Sequence, residues 1–582
     1  MGLIFFRFSL YISNICCTFA AKLRCIMKKG VKISLWIAGT LVVLGTVVFL
    51  CADLIVSRVV QKEVCKTIAQ LPGVKAEVGH IYLNLISGSA VVTDISFSTN
   101  SLELADSIDG QHAPGLALRI PELAVWNISY RELIRNHSIA IHKISIDDMD
   151  VLAFLDEKHP ESLLPLLPKD TTMEHASQWL QAVGVKAVEL NDFQAELRST
   201  CSPLFVTVKD LSVAGHDIAY NLVDSIFTYN DSIYKVSLGA CELHTPDGLF
   251  AMELHDLYTA DQGALQLGYT HFYNSISPQK LADKMREPTT WIDMELNSVE
   301  TSPFNPIHKA MNQDYTLESL KTNVHRMHVY RDDRYAPKVP FMTPQAFLRQ
   351  VPVTFLVKQI EAEVEKIDVY YSSTNVNCGE IHAGKARAHM SNVTNKPGAT
   401  WYNVAKAPFG KEGQLVAKYN MIMDKAETFE LDVHATHIEA HDINTFLRPL
   451  VGMTCECHVD ALDTHYKGDK IQASGDFCMQ YHGLEVKVHK EDDIPYKIVT
   501  KNAGAFNSIA NTLIPKSNPT AVDPAPRKYR VAWKNDVWKA YPMYLFGPII
   551  DGVVETMLPG LFVHKQVREK KGVKQSNKKT KK

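Results

Sequence analysis

A short pattern, apolar-x-apolar-x-Asp-apolar-x-apolar, recurs at Ala90–Phe97, Ile144–Val151, Val188–Ala195 and Val206–Val213. In a strand a spacing of two keeps side chains on one face. The three-residue step across Asp94, Asp148, Asp192 and Asp210 would therefore turn the apolar set over unless one residue is bulged out of the ladder. The pattern demands strands that bend at each Asp. A short carboxylate at such a bend can hydrogen-bond nearby backbone, so these Asp are read as structural and not catalytic. Met252–Thr259 nearly fits, and Met479–Val486 fits with Gly483 in place of Asp. The uneven separation of the copies argues against a strict solenoid.

The same period of two runs through most of the chain from about Gly73 to His489. In Ile471–His482 the odd positions are apolar or small and the even ones polar, and Val451–Ala461 and Leu415–Met423 follow the same rule. Such strands are antiparallel, with one dry face and one wet. With few helices to cover it, the dry face needs another occupant. Leu431, Val433, Met453, Val459, Ala473, Phe477 and Met479 stand on that face. Helices are expected at Glu161–Val183, Pro344–Gln350 and Ala503–Ile514. About 25 strands are expected, which at roughly 4.8 Å each gives a sheet on the order of 120 Å long. The aromatic Trp533–Leu558 is too interrupted to span a membrane and is read as a cap on one end of the sheet or a contact with a bilayer surface.

Ile33–Ala52 carries no charge and is bounded by Lys32 and Asp53. A helix of that length covers roughly 30 Å, the hydrocarbon thickness of a bilayer. Residues 1–32 hold six basic side chains and no acid, which keeps that end in the cytoplasm and exports the rest. The run is longer than a signal-peptide core, and Cys51-Ala52-Asp53 is a poor cleavage site, so an anchor is expected. Met27-Lys28-Lys29 reads as an alternative start. Apolar residues at helical spacing from Leu54 to Leu71 extend the anchor as an amphipathic stalk until Pro72-Gly73.

The net charge of −3 divides into +6 for residues 1–32, +8 for residues 565–582 and −17 between them. An acidic body with basic ends argues against nucleic-acid binding. Seven of the 11 cysteines follow the span, an odd and scattered set that makes no disulfide framework. No phosphate loop, nucleophile elbow or zinc motif is present, so neither enzyme nor cofactor nor metal is expected. His434, His437 and His441 match no ligand spacing, and Cys455 and Cys457 share the apolar parity of their strand. Asp106-Ser107-Ile108, Asp224-Ser225-Ile226 and Asp231-Ser232-Ile233 are similar to the Asp-Ser/Thr-aliphatic acceptor of periplasmic O-glycosylation in Bacteroidota.

The expected division is a cytoplasmic start (1–32), a transmembrane helix (33–56), a stalk helix (57–72), a β-groove body (73–440), further strands (441–500), a helical aromatic cap (501–564) and a disordered basic tail (565–582). This order resembles the AsmA-like family of Gram-negative envelope proteins. The likeness rests on Leu71–Val78 leading into Leu83–Gly88, on the Asp bend at Val92–Phe97, and on Gly475–Val486 within Phe446–Val488. Asn511–Ile514 and Asn518-Pro519 bring it nearest to Bacteroidota-type members. The resemblance implies a long, bent antiparallel sheet forming an open groove, related to bridge-like lipid transfer proteins. It also implies an inner-membrane anchor, phospholipid as partner, support of outer-membrane assembly, and contacts with outer-membrane or envelope proteins. On that reading acyl chains occupy the dry face, and Leu431, Val433, Met453, Val459, Ala473, Phe477 and Met479 are the lipid-facing candidates.

Overall fold

A computed structural model describes residues 56–62, 74–99, 114–156, 181–221, 226–260, 263–305, 315–372, 378–451, 453–489, 511–512, 514–535, 538 and 541–557. Most of them belong to one mainly antiparallel sheet of 21 strands. β1 (Val74–Val78) and β2 (Ile81–Asn84) lie end to end along β3 (Ser89–Thr99). β4 (Gly115–Ile128) is next, and β5 (Ser138–Asp147) and β6 (Asp150–Leu155) again share its far edge. Beyond them come β7 (Ala182–Ser199), β8 (Phe205–Asn221), β9 (Ile226–His244), β10 (Phe250–Thr259), β11 (Ala264–Asn274), β12 (Thr289–Pro303) and β13 (Tyr315–Asp332), each beside the last. β14 (Phe355–Ser372), β15 (Cys378–Thr394), β16 (Thr400–Phe409), β17 (Gly413–Ile422), β18 (Phe429–Glu439), β19 (Met453–Gly468), β20 (Gln472–Val488) and β21 (Lys528–Lys534) complete the series.

Sequence order is thus spatial order throughout. Two junctions depart from a pure meander: β5 and β6 run parallel to β7, and β13 runs parallel to β14. A parallel pair needs a crossover to bring the chain back to the same end. The long connections 156–181 and 333–354 supply it. Because two pairs of short strands each share a rung, the 21 strands make nineteen rungs, fewer than the 25 or so expected. At roughly 4.8 Å per rung the stack extends about 90 Å.

Each Asp of the repeated pattern has left-handed backbone: φ is 52° at Asp94, 55° at Asp148, 52° at Asp192 and 55° at Asp210. Asp256 (58°) and Gly483 (71°) adopt the same conformation. At Asp94, Asp210 and Asp256 the bend crowds a neighbouring glycine. A Cβ on Gly79 would lie 3.0 Å from Asp94 Cβ, one on Gly239 2.9 Å from Asp210 Oδ2, and one on Gly268 3.0 Å from Asp256 Cβ.

Short helices interrupt the series. Tyr130–Asn136 is capped by Ser129, whose Oγ accepts from the Glu132 N–H at 3.3 Å, and it stops at His137 in the left-handed region. Pro278–Met285 and Pro344–Leu348 both start on Pro, whose fixed φ suits a first turn. Ala440–Val451 is helical where the alternation suggested that strand already begins at Val451, and β19 starts only at Met453. Of the expected helix Glu161–Val183, residues 161–180 lie outside the described residues and Ala182-Val183 open β7. The uncharged stretch Ile33–Ala52, the stalk beyond residue 62, most of Ala503–Ile514 and the basic tail also lie outside them. Among the described residues no helix is long and apolar enough to cross a membrane.

Asp210→Gly should leave stability within about 0.5 kcal/mol, because glycine adopts this conformation freely, whereas Asp210→Val should cost about 1–3 kcal/mol. Urea denaturation of both variants checks the difference; equal effects would show that the bend makes no demand on the backbone.

Candidate functional site

Residues directly opposite one another on neighbouring strands lie on the same face of a sheet, so the pairing register can be traced from rung to rung. One such row begins at Phe97 and passes through Leu118, Val151, Ala195, Val208, Cys241, Leu254, Thr270, Leu296, Val324 and Val364 to Ala386. A second, beside it on the same face, begins at Phe193 and passes through Leu211, Leu238, Leu257, Leu267, Val299, Thr322, Ala362, Ala388, Ala405, Ala417, Val433 and Thr464 to Phe477. Threonine is the one polar residue type in either. The rows overlap from β7 to β15, so together they form an apolar stripe from β3 to β20.

The opposite face has another character. The row from Ser298 through Asn323, Glu363, Arg387, Lys406, Val416 and His434 to Asp463 is mostly charged or polar. Its members pair across strands: Arg387 with Glu363 at 3.0 Å and His434 with Asp463 at 2.6 Å.

Concavities run along the apolar rows. One of ≈ 640 Å³ accompanies the second row from Leu267 to Ala388, bordered also by Lys321, Glu361 and Arg387 of the other parity. Another of ≈ 470 Å³ accompanies the first row from Phe97 to Val208.

Helices close the two ends of this face. At the start, Val56 and Val60 of the helical residues 56–62 pack on Ile81, Val78, Leu83 and Val92. The Leu83 N–H donates to Ser57 Oγ at 3.1 Å. At the far end helix Tyr541–Met557 lies across β20 and β21. It approaches so closely that a Cβ on Gly552 would collide with the Phe477 ring and one on Gly547 with the Trp533 indole. Tyr466 donates its hydroxyl to the Leu545 carbonyl. Helix Ala440–Val451 packs beside it, and Asn444 clamps Cys455 with bonds of 2.8 Å from its Nδ2 to the Cys455 carbonyl and 3.0 Å from the Cys455 N–H to its Oδ1.

The lipid-facing candidates take a definite place in this arrangement. Leu431, Val433, Val459, Ala473, Phe477 and Met479 do lie on the apolar face, but at its closed end. Phe477 is 1% exposed and Met479 2%, and these side chains form a core with the chain's own helices. Met453 opens β19; its side chain is outside the described residues. Among the described residues, β4, β6, β7 to β11, β14, β16 and β17 have no extensive helix contact, and parity alone could not tell them from the covered strands.

The metal and cysteine candidates also resolve. Among the described residues one set, His271, Asp293 and Glu295, has ligand atoms close enough to hold an ion. Arg326 already fills that role, with Nη2 3.3 Å from Asp293 and 2.7 Å from Glu295. His434 and His441 pair with separate carboxylates, Asp463 and Asp442. Cys455 and Cys457 are buried in the core cluster beside Ala435 and Val459.

Two carboxylates lie beneath helix Tyr541–Met557. Burial and the charge of Glu555 hold the Asp551 carboxyl above the usual carboxylate range, against the hydrogen bond from Tyr529. Burial and the same two carboxylates push Tyr529 up to about 12.

Comparison of the chain with protein-family models and with curated proteins finds no match.

Phe477→Ala should cost about 3–5 kcal/mol in denaturant unfolding, whereas Glu485→Ala, an exposed partner of Lys516, should change stability by less than about 0.5 kcal/mol. An acid with a raised folded pKa weakens the folded state once pH climbs above its unfolded pKa. Asp551→Asn should therefore stabilise the protein at about pH 7, and the gain should vanish at about pH 3. A gain that does not change with pH would dissociate it from this carboxyl.

Proposed function

We propose that the protein is a membrane-anchored, non-enzymatic β-groove that shields or conducts the acyl chains of phospholipids. The observation that carries this reading is the continuity of the apolar stripe from Phe97 to Phe477, which the described helices cover only at intervals and close at its ends. A globular core of that area would have a second layer along its whole length. Among the described residues, Val208, Leu254 and Leu296 on the middle rungs are half-buried, with no second layer of helix along the length of their strands.

A physical argument supports lipid as that partner. Each methylene kept from water is worth about 0.8 kcal/mol, so the two tails of a phospholipid face a cost on the order of 20 kcal/mol in free solution. A stripe with no abrupt polar break lowers that barrier without chemistry. The uncharged Ile33–Ala52 and the basic residues before it support a single-pass anchor in a bacterial inner membrane, with the sheet in the periplasm. The resemblance to AsmA-like proteins points the same way, toward envelope lipid homeostasis, outer-membrane biogenesis and a bent, open groove.

A second reading, an anchored β scaffold for protein partners in the envelope, is favoured by one observation: polypeptide fills the apolar face around Phe477 and Met479. The two readings separate by photocrosslinking in cells. Photoreactive side chains at Val208 and Leu254 should yield phospholipid adducts, and those at Glu242 and Glu253 on the polar face should not. Adducts to protein alone, or equal lipid labelling from both faces, would reject the groove in favour of the scaffold.

A further inference from the structure

Helix Tyr541–Met557 has two faces. Tyr544, Gly547, Pro548, Gly552 and Glu555 are buried against the sheet, while Phe546 and Ile550, one turn apart, are 55% and 48% exposed. Beside it, Phe341 packs edge-on against Tyr544 with ring centroids 5.6 Å apart, and the segment it begins carries Met342 and Phe347, 52% and 61% exposed. Large apolar side chains at such exposure mark an interaction surface more often than chance.

The chain beyond this helix bears on the partner. After Met557 there are 25 further residues, and from Lys565 onward nine Lys or Arg side chains stand against Glu569. An apolar helix face followed seven residues later in the chain by a polybasic segment is complementary to one kind of surface, hydrocarbon beneath anionic headgroups.

We propose that the outward side of helix Tyr541–Met557, through Phe546 and Ile550, docks this end of the sheet on an anionic phospholipid membrane, with the basic residues after Met557 engaging the headgroups. The inference rests on the groove reading for the presence of a membrane at this end. It assigns the closed end of the apolar face to a bilayer surface, where the helix stands between the stripe and the lipid.

The test uses the full chain reconstituted in phosphatidylcholine nanodiscs and floated with vesicles of phosphatidylcholine, alone or mixed with phosphatidylglycerol. Binding to the anionic vesicles should exceed that to the neutral ones by at least about tenfold at low salt and fall at high salt. Phe546→Ser with Ile550→Ser should lower anionic binding about tenfold with the thermal midpoint unchanged. Replacing the nine basic residues by Gln should abolish the preference for phosphatidylglycerol. Should the double variant unfold, Phe546→Trp keeps the question open to measurement: its emission should shift to the blue on anionic vesicles, and no shift overturns the proposal. Equal binding to both vesicles, or none, overturns it and leaves the patch to a protein partner. Phospholipid co-purifying with the double variant reports on the groove separately, so loss of docking and loss of cargo are distinguishable.

Discussion

Everything in this sheet depends on apolar residues meeting apolar residues across each strand boundary. Side chains alternate with a period of two, so a slip of one residue at any rung would carry the rest of the series onto the wrong face. The chain meets the same hazard whenever its own pattern steps by three. A left-handed Asp absorbs the step: Val208 and Leu211 stay on one face because Asp210 is turned out between them. The opposing Gly239 gives it room, and the adjacent strand takes a matching three-residue step from Leu238 to Cys241. The correction on one strand is thus passed to the next, and the stripe runs on.

Closure at the ends stems from the same asymmetry. A stripe that never ends in a polar residue must be stopped by something apolar, and the fold uses helices whose small residues permit close approach. Gly552 and Gly547 let helix Tyr541–Met557 settle onto Phe477 and Trp533, while Val56 and Val60 do the same at Ile81. Among the described residues, the helices along the stretch between these closures are short. Half-buried Asp551 makes the far closure less favourable than an all-apolar one, since a carboxyl held above its usual range is a cost of burial.

The period of two and the Asp bends were legible in the sequence because both are local: each is set by a few neighbouring residues. The mainly β class and the apolar face of β18 to β20 came from the same signal. Other features were not legible. Ala440–Val451 forms a helix because Ile443 and Leu447 find a core made by Cys455, Met479 and Ile514, and nothing local announces that partner. The two parallel junctions depend on crossovers that sequence alternation does not register. The burial of Phe477 and Met479 was not legible for a related reason: parity identifies the face, but which rungs are covered depends on a helix more than fifty residues away in the chain.

The polar face bears on the apolar one. Its paired polar side chains, Arg387 with Glu363, His434 with Asp463 and His465 with Asp432, are exposed, and exposed pairs are worth at most about 0–1 kcal/mol each. They contribute little to stability, so their continuity calls for another reason. A broad two-faced sheet with both faces apolar would stack on its neighbours. Charged rows on one side forbid that association and leave a single face able to receive hydrocarbon. Any apolar group that meets the sheet is therefore directed to the side where Val208, Leu254 and Leu296 stand, and it encounters the same chemistry at each rung along the way.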